Sequence, residues 1–389
     1  MTRSEERDAH WMDHALTLAR SGIALAHPNP MVGAVLVKNG RVVGEGLHAY
    51  DRRKHAEIIA LERAGRAARG ATLYVNLEPC CTTGRTGPCT KAILAAGVKR
   101  VVAAMEDPNP AIAGRGFRQL RRTGIKVEAG VRRAEAQSLN EAFARWIRTG
   151  RPLVALKSAV TLDGRIASPV GSVTWITSAA SRKEVQRLRH EADALLTGVG
   201  TVLADDPRMT DRTGKPRRRP LLRVIVDSRL RLPPGSKIVK SSRHDVLVFT
   251  TQPENSTKAR RLRRAGVEVV HMRARHGHVA LDDVVRELGR REILSVLLEA
   301  GGELNGAALE AGIVDKVVLF YAPKILGSGG VPVARMRPRP LDQLPSLVNQ
   351  TLQRFGPDFA LVGYFRDVFA PGGEAARRNQ VAGKRMGTI

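Results

Sequence analysis

The chain has 389 residues, 43% of them hydrophobic and 4% aromatic, with a formal net charge of +27. That length favours two or three domains. Neither a signal-peptide pattern nor an apolar run long enough to span a membrane is apparent, so a soluble, cytoplasmic protein is expected. The charge fits a nucleic-acid partner, an anionic substrate or a general arginine bias, but the basic residues are scattered and no recognition-helix, RRM or KH signature accompanies them, so no required nucleic-acid partner is expected.

Residues His10 to Ala26 place Trp11, Ala15, Leu18 and Ala19 at helical spacing and predict an amphipathic helix. HPNP at His27 to Pro30 predicts a stiff turn. There Asn29 could face a ligand at little ordering cost, or simply belong to a structural turn. Met31 to Val37 and Arg41 to Leu47 predict a hairpin joined through Asn39-Gly40. A helix from His55 to Ala64 follows, and its N-terminus favours an anionic Glu57 and a neutral His55. ATLYVNLEPC reads as a strand that exits at Glu78-Pro79-Cys80. Residues 81–88 read as a loop, Cys89 opens a helix to Ala96, Val98 to Met105 is a strand, and Arg132 to Arg148 is a single closing helix.

The three cysteines lie within ten positions, a poor disulfide framework and a plausible metal cluster. Deaminases of cytosine and adenine show H-x-E followed by P-C-x-x-C. Here Pro79-Cys80 is followed by Thr83 where the second cysteine would stand, and the next thiol after the vicinal Cys81 is Cys89. His55, Cys80 and Cys89 are candidate ligands for one zinc ion, leaving a fourth position for water. Glu57, two residues after the histidine, is the candidate proton carrier for hydrolytic deamination of a nucleobase-like ring. An ordinary structural zinc site is the bland alternative, but it has no need of Glu57 at that spacing.

Gly150-Arg151-Pro152 is the expected domain boundary, giving domains 1–149 and 150–370 and a flexible tail at 371–389. The second half alternates strands and helices, which indicates a second α/β domain. PLVALKSAVTLDG, LLRVIVDSRLRLP, DVLVFT and VEVVHM read as strands, Ala179 to His190 as a helix, and Lys215 to Pro220 as a basic surface loop. ILSVLLEAGGELNGAAL reads as a strand, a glycine turn and a helix start. No GxGxxG fingerprint supports a standard Rossmann reading.

PNPMVGAVLV, HAE, LEPC, GRTGPC, AMEDPNP and AGRG in the first half, and TLDGRIA, TWIT, GVGTVLADDP, VDSRLR, LLEAGGELNGA and YAPKILG in the second, stand in one family's order. Over about residues 8–370 the chain resembles the bifunctional riboflavin-biosynthesis deaminase–reductase (RibD) family. The resemblance implies a cytidine-deaminase-like α/β/α N-terminal domain and a dihydrofolate-reductase-like α/β C-terminal domain. It implies zinc and NADPH as cofactors, a phosphorylated pyrimidine ribosylamine as substrate, and a homo-oligomer without a membrane partner. The first domain would remove the 2-amino group of 2,5-diamino-6-(5-phosphoribosylamino)pyrimidin-4-one. The second would reduce the ribosyl group of the product to ribityl.

Asn29 then corresponds to a substrate-contacting asparagine. Ala159, Trp175, Thr201, Asp205 and Ser228 correspond to residues beside NADPH. Arg189, Met209, Arg212 and Glu299 correspond to substrate contacts, the two arginines being candidate phosphate clamps. Gly301, Gly302, Glu303, Leu304, Asn305 and Gly306 form a loop that could cradle cofactor phosphate at a helix start. Lys157 matches a lysine near the active cleft. The residues alone leave Trp175 equally open as core, Asp205 as a turn cap and the arginines as solvated charges. The chain departs from the family pattern at Cys81-Thr82-Thr83, where an imidazole is usual, and at Val173, where a serine is usual. The second departure raises a reductase half that has drifted in activity. The remaining alternatives are a tRNA or free-nucleobase deaminase, a non-enzymatic RNA-binding zinc protein, and a dehydrogenase on another sugar phosphate.

Overall fold

The computed structural model describes residues 2–83, 87–168 and 175–370. Val173, part of GRTGPC and the expected tail at 371–389 lie outside them. The chain forms two compact units, one of Met1–Gly150 with Lys215–Arg219, the other of Arg151–Gly214 with the chain from Pro220 onward.

In the first unit, α1 (Arg3–Ser21) precedes β1 (Gly33–Lys38) and β2 (Arg41–Leu47), and α2 (Ala56–Ala64) leads to β3 (Thr72–Val75). Then come α3 (Cys89–Ala95), β4 (Arg100–Ala103), α4 (Arg115–Arg122), β5 (Lys126–Ala129), α5 (Arg133–Leu139) and α6 (Glu141–Thr149). The sheet order is β2-β1-β3-β4-β5, antiparallel across β1 and parallel from β3 to β5. The first helix begins seven residues before the periodicity predicts, because Thr2 and Glu5 form a capping box that satisfies its orphan N–H groups. The single helix predicted over Arg132 to Arg148 is two. It breaks at Asn140, whose buried side-chain amide binds both the N–H and the carbonyl of Met31. A side chain spent on a distant backbone interrupts the helix there.

The approach of α2 to β2 sets the position of His55. A Cβ on Gly44 would lie 2.2 Å from the Ala60 carbonyl, and one on Gly46 would lie 2.3 Å from that of Ala56. Only glycine lets the helix lie this close to the strand.

In the second unit, β6 (Leu153–Thr161) and the short β7 (Arg165–Ala167) are followed by α7 (Ala179–Glu191), β8 (Ala194–Gly198), α8 (Val199–Asp205), β9 (Leu222–Val226) and α9 (Lys237–Lys240). Next are β10 (Val246–Thr250), α10 (Thr257–Arg264), β11 (Val267–His271), the small hairpin β12 (Ala274–Arg275) and β13 (His278–Val279), and α11 (Leu281–Arg290). β14 (Ser295–Leu298), α12 (Gly302–Glu310), β15 (Lys316–Ala322), β16 (Val331–Pro332), β17 (Val348–Phe355) and β18 (Asp358–Tyr364) complete it. Nine strands form one sheet in the order β11-β10-β9-β8-β14-β6-β15-β18-β17. It is parallel up to β15 and antiparallel beyond.

Alternate strand residues feed two cores. Leu196, Val224, Leu247 and Leu298 pack on one face with α11 and α12, while Leu195, Ile225, Val248 and Leu297 pack on the other with α8, α9 and α10. A parallel sheet covered on both faces needs apolar residues at both parities, which explains the unbroken aliphatic runs.

Candidate functional site

Three elements of the first unit deliver one donor set. His55 is the N-cap residue of α2, Cys80 follows the exit of β3, and Cys89 opens α3. His55 Nδ1 lies 3.2 Å from Cys89 Sγ and 3.4 Å from Cys80 Sγ, and the three ligand atoms all fall within 4.8 Å of one another. Around a tetrahedral zinc the nitrogen–sulfur and sulfur–sulfur edges are roughly 3.5–3.8 Å, so one imidazole and two thiols in this arrangement fit that ion. Cys81 is free and half-buried and stands outside this group. The Cys89 backbone N–H donates to Cys80 Sγ over 3.3 Å. Bonds from Cys89 and His55 hold the Cys80 thiol down at about 4, while the Cys89 thiol is pushed up by its bond to Cys80 and by burial.

Glu57 is 4% exposed and bonded to Cys89. Burial pushes its carboxyl above the usual range, against the smaller opposing effect of His55. The helix N-terminus favours an anionic Glu57, and burial acts in the opposite direction. A carboxyl held ready for a proton beside a metal-ligand set suits a group that receives a proton and gives it back.

Asn29 Nδ2 donates to His48 Nε2 over 3.0 Å, and His48 Nδ1 donates to the Lys54 carbonyl over 2.9 Å. This places the proton on Nδ1 and leaves Nε2 as acceptor. Burial lowers the His48 pKa, in keeping with a neutral ring. Its ring meets that of His55 edge-on, centroids 5.6 Å apart. The sequence reading missed His48, because a lone histidine at the end of a strand has no spacing partner to mark it. It also passed over the role of Glu78. That buried carboxylate accepts from the N–H groups of Asp107 at 3.1 Å, Gly114 at 2.8 Å and Phe117 at 3.1 Å, pinning the DPNP and AGRG loops beside Cys80. Burial and the neighbouring charges of Glu78 and Cys80 raise Asp107 to about 6.

The second unit holds a cleft of about 760 Å³ lined by Thr201, Ser228, Gly301, Gly302, Glu303 and Leu304 among others. The polar positions at its rim come from the starts of α8 and α12 and from the loop after β9. Ser228 Oγ accepts from the Val279 N–H at 3.0 Å and so fastens the β12–β13 hairpin to the cleft. Arg229, Arg231 and His278 also line it.

Asn305 and Gly306 lie outside the cleft lining, unlike the four residues before them. Asn305 is fully buried and donates to the carbonyls of Ala300 and Val333. Gly306 packs so tightly that a Cβ would lie 1.8 Å from the Arg335 carbonyl. Helical periodicity turns both inward, so they secure the loop rather than line the cleft. Ala159, Trp175 and Asp205 do not line it either. Trp175 is 66% exposed under the Arg182 guanidinium, which rules out the core reading, and Asp205 is the exposed last residue of α8.

Glu299, Arg189 and Lys157 come together, separated in sequence by as many as 142 positions. Arg189 donates from Nε and Nη2 to the two Glu299 oxygens at 2.8 and 2.9 Å and from Nη1 to the Thr210 carbonyl. Lys157 Nζ donates to Glu299 at 3.4 Å. Burial alone would raise the Glu299 pKa, but Lys157 and Arg189 outweigh it and hold the carboxyl at about 2. Arg189, expected as a phosphate clamp, therefore spends its fork on Glu299. Met209 is buried in the core with Ile225 and Leu195. Arg212 is exposed, with its backbone N–H tied to Gln186.

Residues 5–105 match the cytidine and deoxycytidylate deaminase zinc-binding region, and residues 152–361 match the RibD C-terminal domain. The chain is 41% identical to the riboflavin biosynthesis protein RibD of Aquifex aeolicus, covering 92% of this chain and 98% of that one. It is 40% identical to RibD of Escherichia coli, covering 91% and 98%. Among solved structures, Acinetobacter baumannii RibD superposes with a TM-score of 0.81 at 36% identity, covering 92% and 99%. A Thermotoga maritima diaminohydroxyphosphoribosylaminopyrimidine deaminase/5-amino-6-(5-phosphoribosylamino)uracil reductase also gives 0.81, at 34% identity, covering 93% and 99%. With a deaminase-type donor set in one unit and a cleft in the other, the matches over nearly the whole chain place this protein in the RibD family: it is a bifunctional zinc-dependent deaminase and NADPH-dependent reductase of riboflavin biosynthesis.

Proposed function

We propose that the first unit deaminates 2,5-diamino-6-(5-phosphoribosylamino)pyrimidin-4-one with Glu57 as proton carrier and His55, Cys80 and Cys89 as zinc ligands. The observation that carries this reading is the convergence of one imidazole and two thiols beside a buried carboxyl. Zinc held by these three residues supplies an acidified water. Glu57 takes a proton from the attacking water and delivers it to the departing amino nitrogen, which leaves as ammonia. Asn29, held by neutral His48, presents its amide to the pyrimidine, and burial of Glu57 keeps bulk water from its proton.

The second unit, Arg151–Gly214 with the chain from Pro220 onward, reduces the ribosyl group of 5-amino-6-(5-phosphoribosylamino)uracil to ribityl. Thr201, Ser228 and the Gly301–Leu304 turn form the NADPH site, and Arg229, Arg231 and His278 give its wall the positive charge a phosphorylated cofactor requires. Ala159, Trp175 and Asp205 are assigned to NADPH by the family resemblance alone. Glu299, fixed by Arg189 and Lys157, meets the sugar, while Arg212 is the arginine left to take the substrate phosphate.

A homo-oligomer is the proposed working form. Its support is β17, an edge strand exposed along nearly its whole length with Leu352 69% exposed, a surface that such edges normally keep covered. No helix among the described residues is long and apolar enough to cross a membrane. Arg187, Arg286 and Arg291 are paired with acids at the surface, and the enzyme is read as cytoplasmic and without a nucleic-acid partner.

The diaminopyrimidine substrate, zinc-loaded protein and NADPH test both activities at once when ammonia and NADPH oxidation are followed separately. Both signals are expected. Ammonia without NADPH oxidation would favour the reading in which the reductase half has drifted.

A further inference from the structure

We propose that Arg218 is a positioning residue for the deaminase reaction, supplied from far along the sequence. This rests on the reading of the first unit given above. Lys215–Arg219 belongs to that unit rather than to the one its neighbours in sequence build. It is the largely exposed loop that its composition predicts, but the Arg218 side chain is held against that unit.

The Arg218 side chain is 17% exposed. Its backbone N–H donates to the Ala24 carbonyl over 2.9 Å, Nη1 donates to the His27 carbonyl over 3.1 Å, and Nε donates to Asp51 Oδ1 over 3.0 Å. The guanidinium carbon stands 3.8 Å from the centroid of the Tyr50 ring.

These contacts grip two segments. One, 24–27, runs directly into Pro28 and Asn29. The other, at Tyr50 and Asp51, lies between His48 and the Lys54 carbonyl that fixes the His48 proton. The two segments are already joined by the Tyr50 N–H to the Leu25 carbonyl. Asn29 and His48, one on each segment, meet at 3.0 Å. Arg218 is thus a staple behind the Asn29–His48 pair, touching neither the pair nor the metal ligands.

The ion pair with Asp51 contributes little by itself, because Asp51 is 76% exposed. The stacked ring and the Nη1 bond to the His27 carbonyl are the sheltered part of the side chain's grip, and Arg makes both at once where Lys cannot. Removing the staple lets the two segments drift. A displacement of about 1 Å at a substrate-holding group can lower a rate by up to roughly 100-fold.

Full-length Arg218→Ala, Arg218→Lys and Tyr50→Leu proteins test this by zinc content, ammonia-release kinetics and NADPH oxidation with the deaminated substrate. Arg218→Ala is expected to keep its zinc and its reductase rate, and to raise the KM for the diaminopyrimidine about tenfold, with a smaller fall in kcat. Tyr50→Leu should move KM the same way, Arg218→Lys should recover part of it, and added guanidinium at low millimolar concentration should partly rescue Arg218→Ala. Unchanged deaminase constants in Arg218→Ala, or a drop in thermal stability with KM and kcat intact, overturn the proposal. Should Arg218→Ala fail to fold, Arg218→Lys decides: an unchanged KM there overturns it as well. Absence of ammonia release from the wild-type protein would instead overturn the underlying reading of the unit.

Discussion

The two units carry their chemistry in different currencies of structure. In the first, side chains do the work: an imidazole, two thiols and a carboxyl, all within 35 residues of sequence from His55 to Cys89. In the second, the cleft gathers the starts of α8 and α12 and the loop after β9, while a charged cluster outside its lining joins Lys157, Arg189 and Glu299. A site made of reactive side chains at short spacing leaves a trace in sequence. A site made of main-chain turns and long-range ion pairs leaves almost none.

The sharpest way to break this contrast is to remove chemistry without removing the scaffold. Glu57→Gln keeps the shape but cannot carry the proton. Ammonia release is expected to fall by about 100- to 10,000-fold, with zinc content by metal analysis unchanged. Cys80→Ser should lower the zinc content, and Cys81→Ser should leave it alone; equal metal loss in both would dissolve the assignment of the donor set.

In the second unit the corresponding cut is Glu299→Gln, which leaves two cations facing a neutral amide. A loss of about 3–5 kcal/mol in the stability of that unit is expected by denaturant unfolding. The pH dependence has a definite sign. The Glu299 carboxyl is held at about 2, below the ordinary glutamate value of 4.5. Its contribution is therefore complete above about pH 4.5 and is lost as pH falls toward 2. The substitution should flatten that slope, and an unaltered acid limb would refute the ion cluster as its source.

The smallest effect separates two glycines of one helix, the N-cap Gly301 and the interior Gly306 of α12. A Cβ at Gly301 meets nothing within 4 Å of the protein, whereas one at Gly306 collides with the Arg335 carbonyl. Gly301→Ala should leave thermal unfolding unchanged and raise the KM for NADPH several-fold, because a methyl would enter the cleft. Gly306→Ala should instead lower the melting temperature. The reverse pattern would mean that the cleft lies elsewhere on α12.

Legibility followed the range of the interactions. The hairpin at Asn39-Gly40, the helix at Cys89 and the α/β alternation are written locally, by turn residues and periodicity, and the structure has all of them. His55, Glu57, Cys80 and Cys89 are legible because metal chemistry restricts the residue types. The break at Asn140 is not, since it depends on Met31, 109 positions away. Nor is the pairing of Arg189 with Glu299, since an arginine fits phosphate or carboxylate equally well and only the fold says which is near. Burial of Glu57 likewise pushes its carboxyl in the direction opposite to helix polarity.

The membership of Lys215–Arg219 in the first unit bears on how variation in this chain is interpreted. A map that assigns every substitution after residue 150 to the reduction step would file changes at Arg218 under the wrong reaction. A lesion there would starve the second step of its substrate while leaving that step's own machinery whole, and feeding the intermediate would correct it.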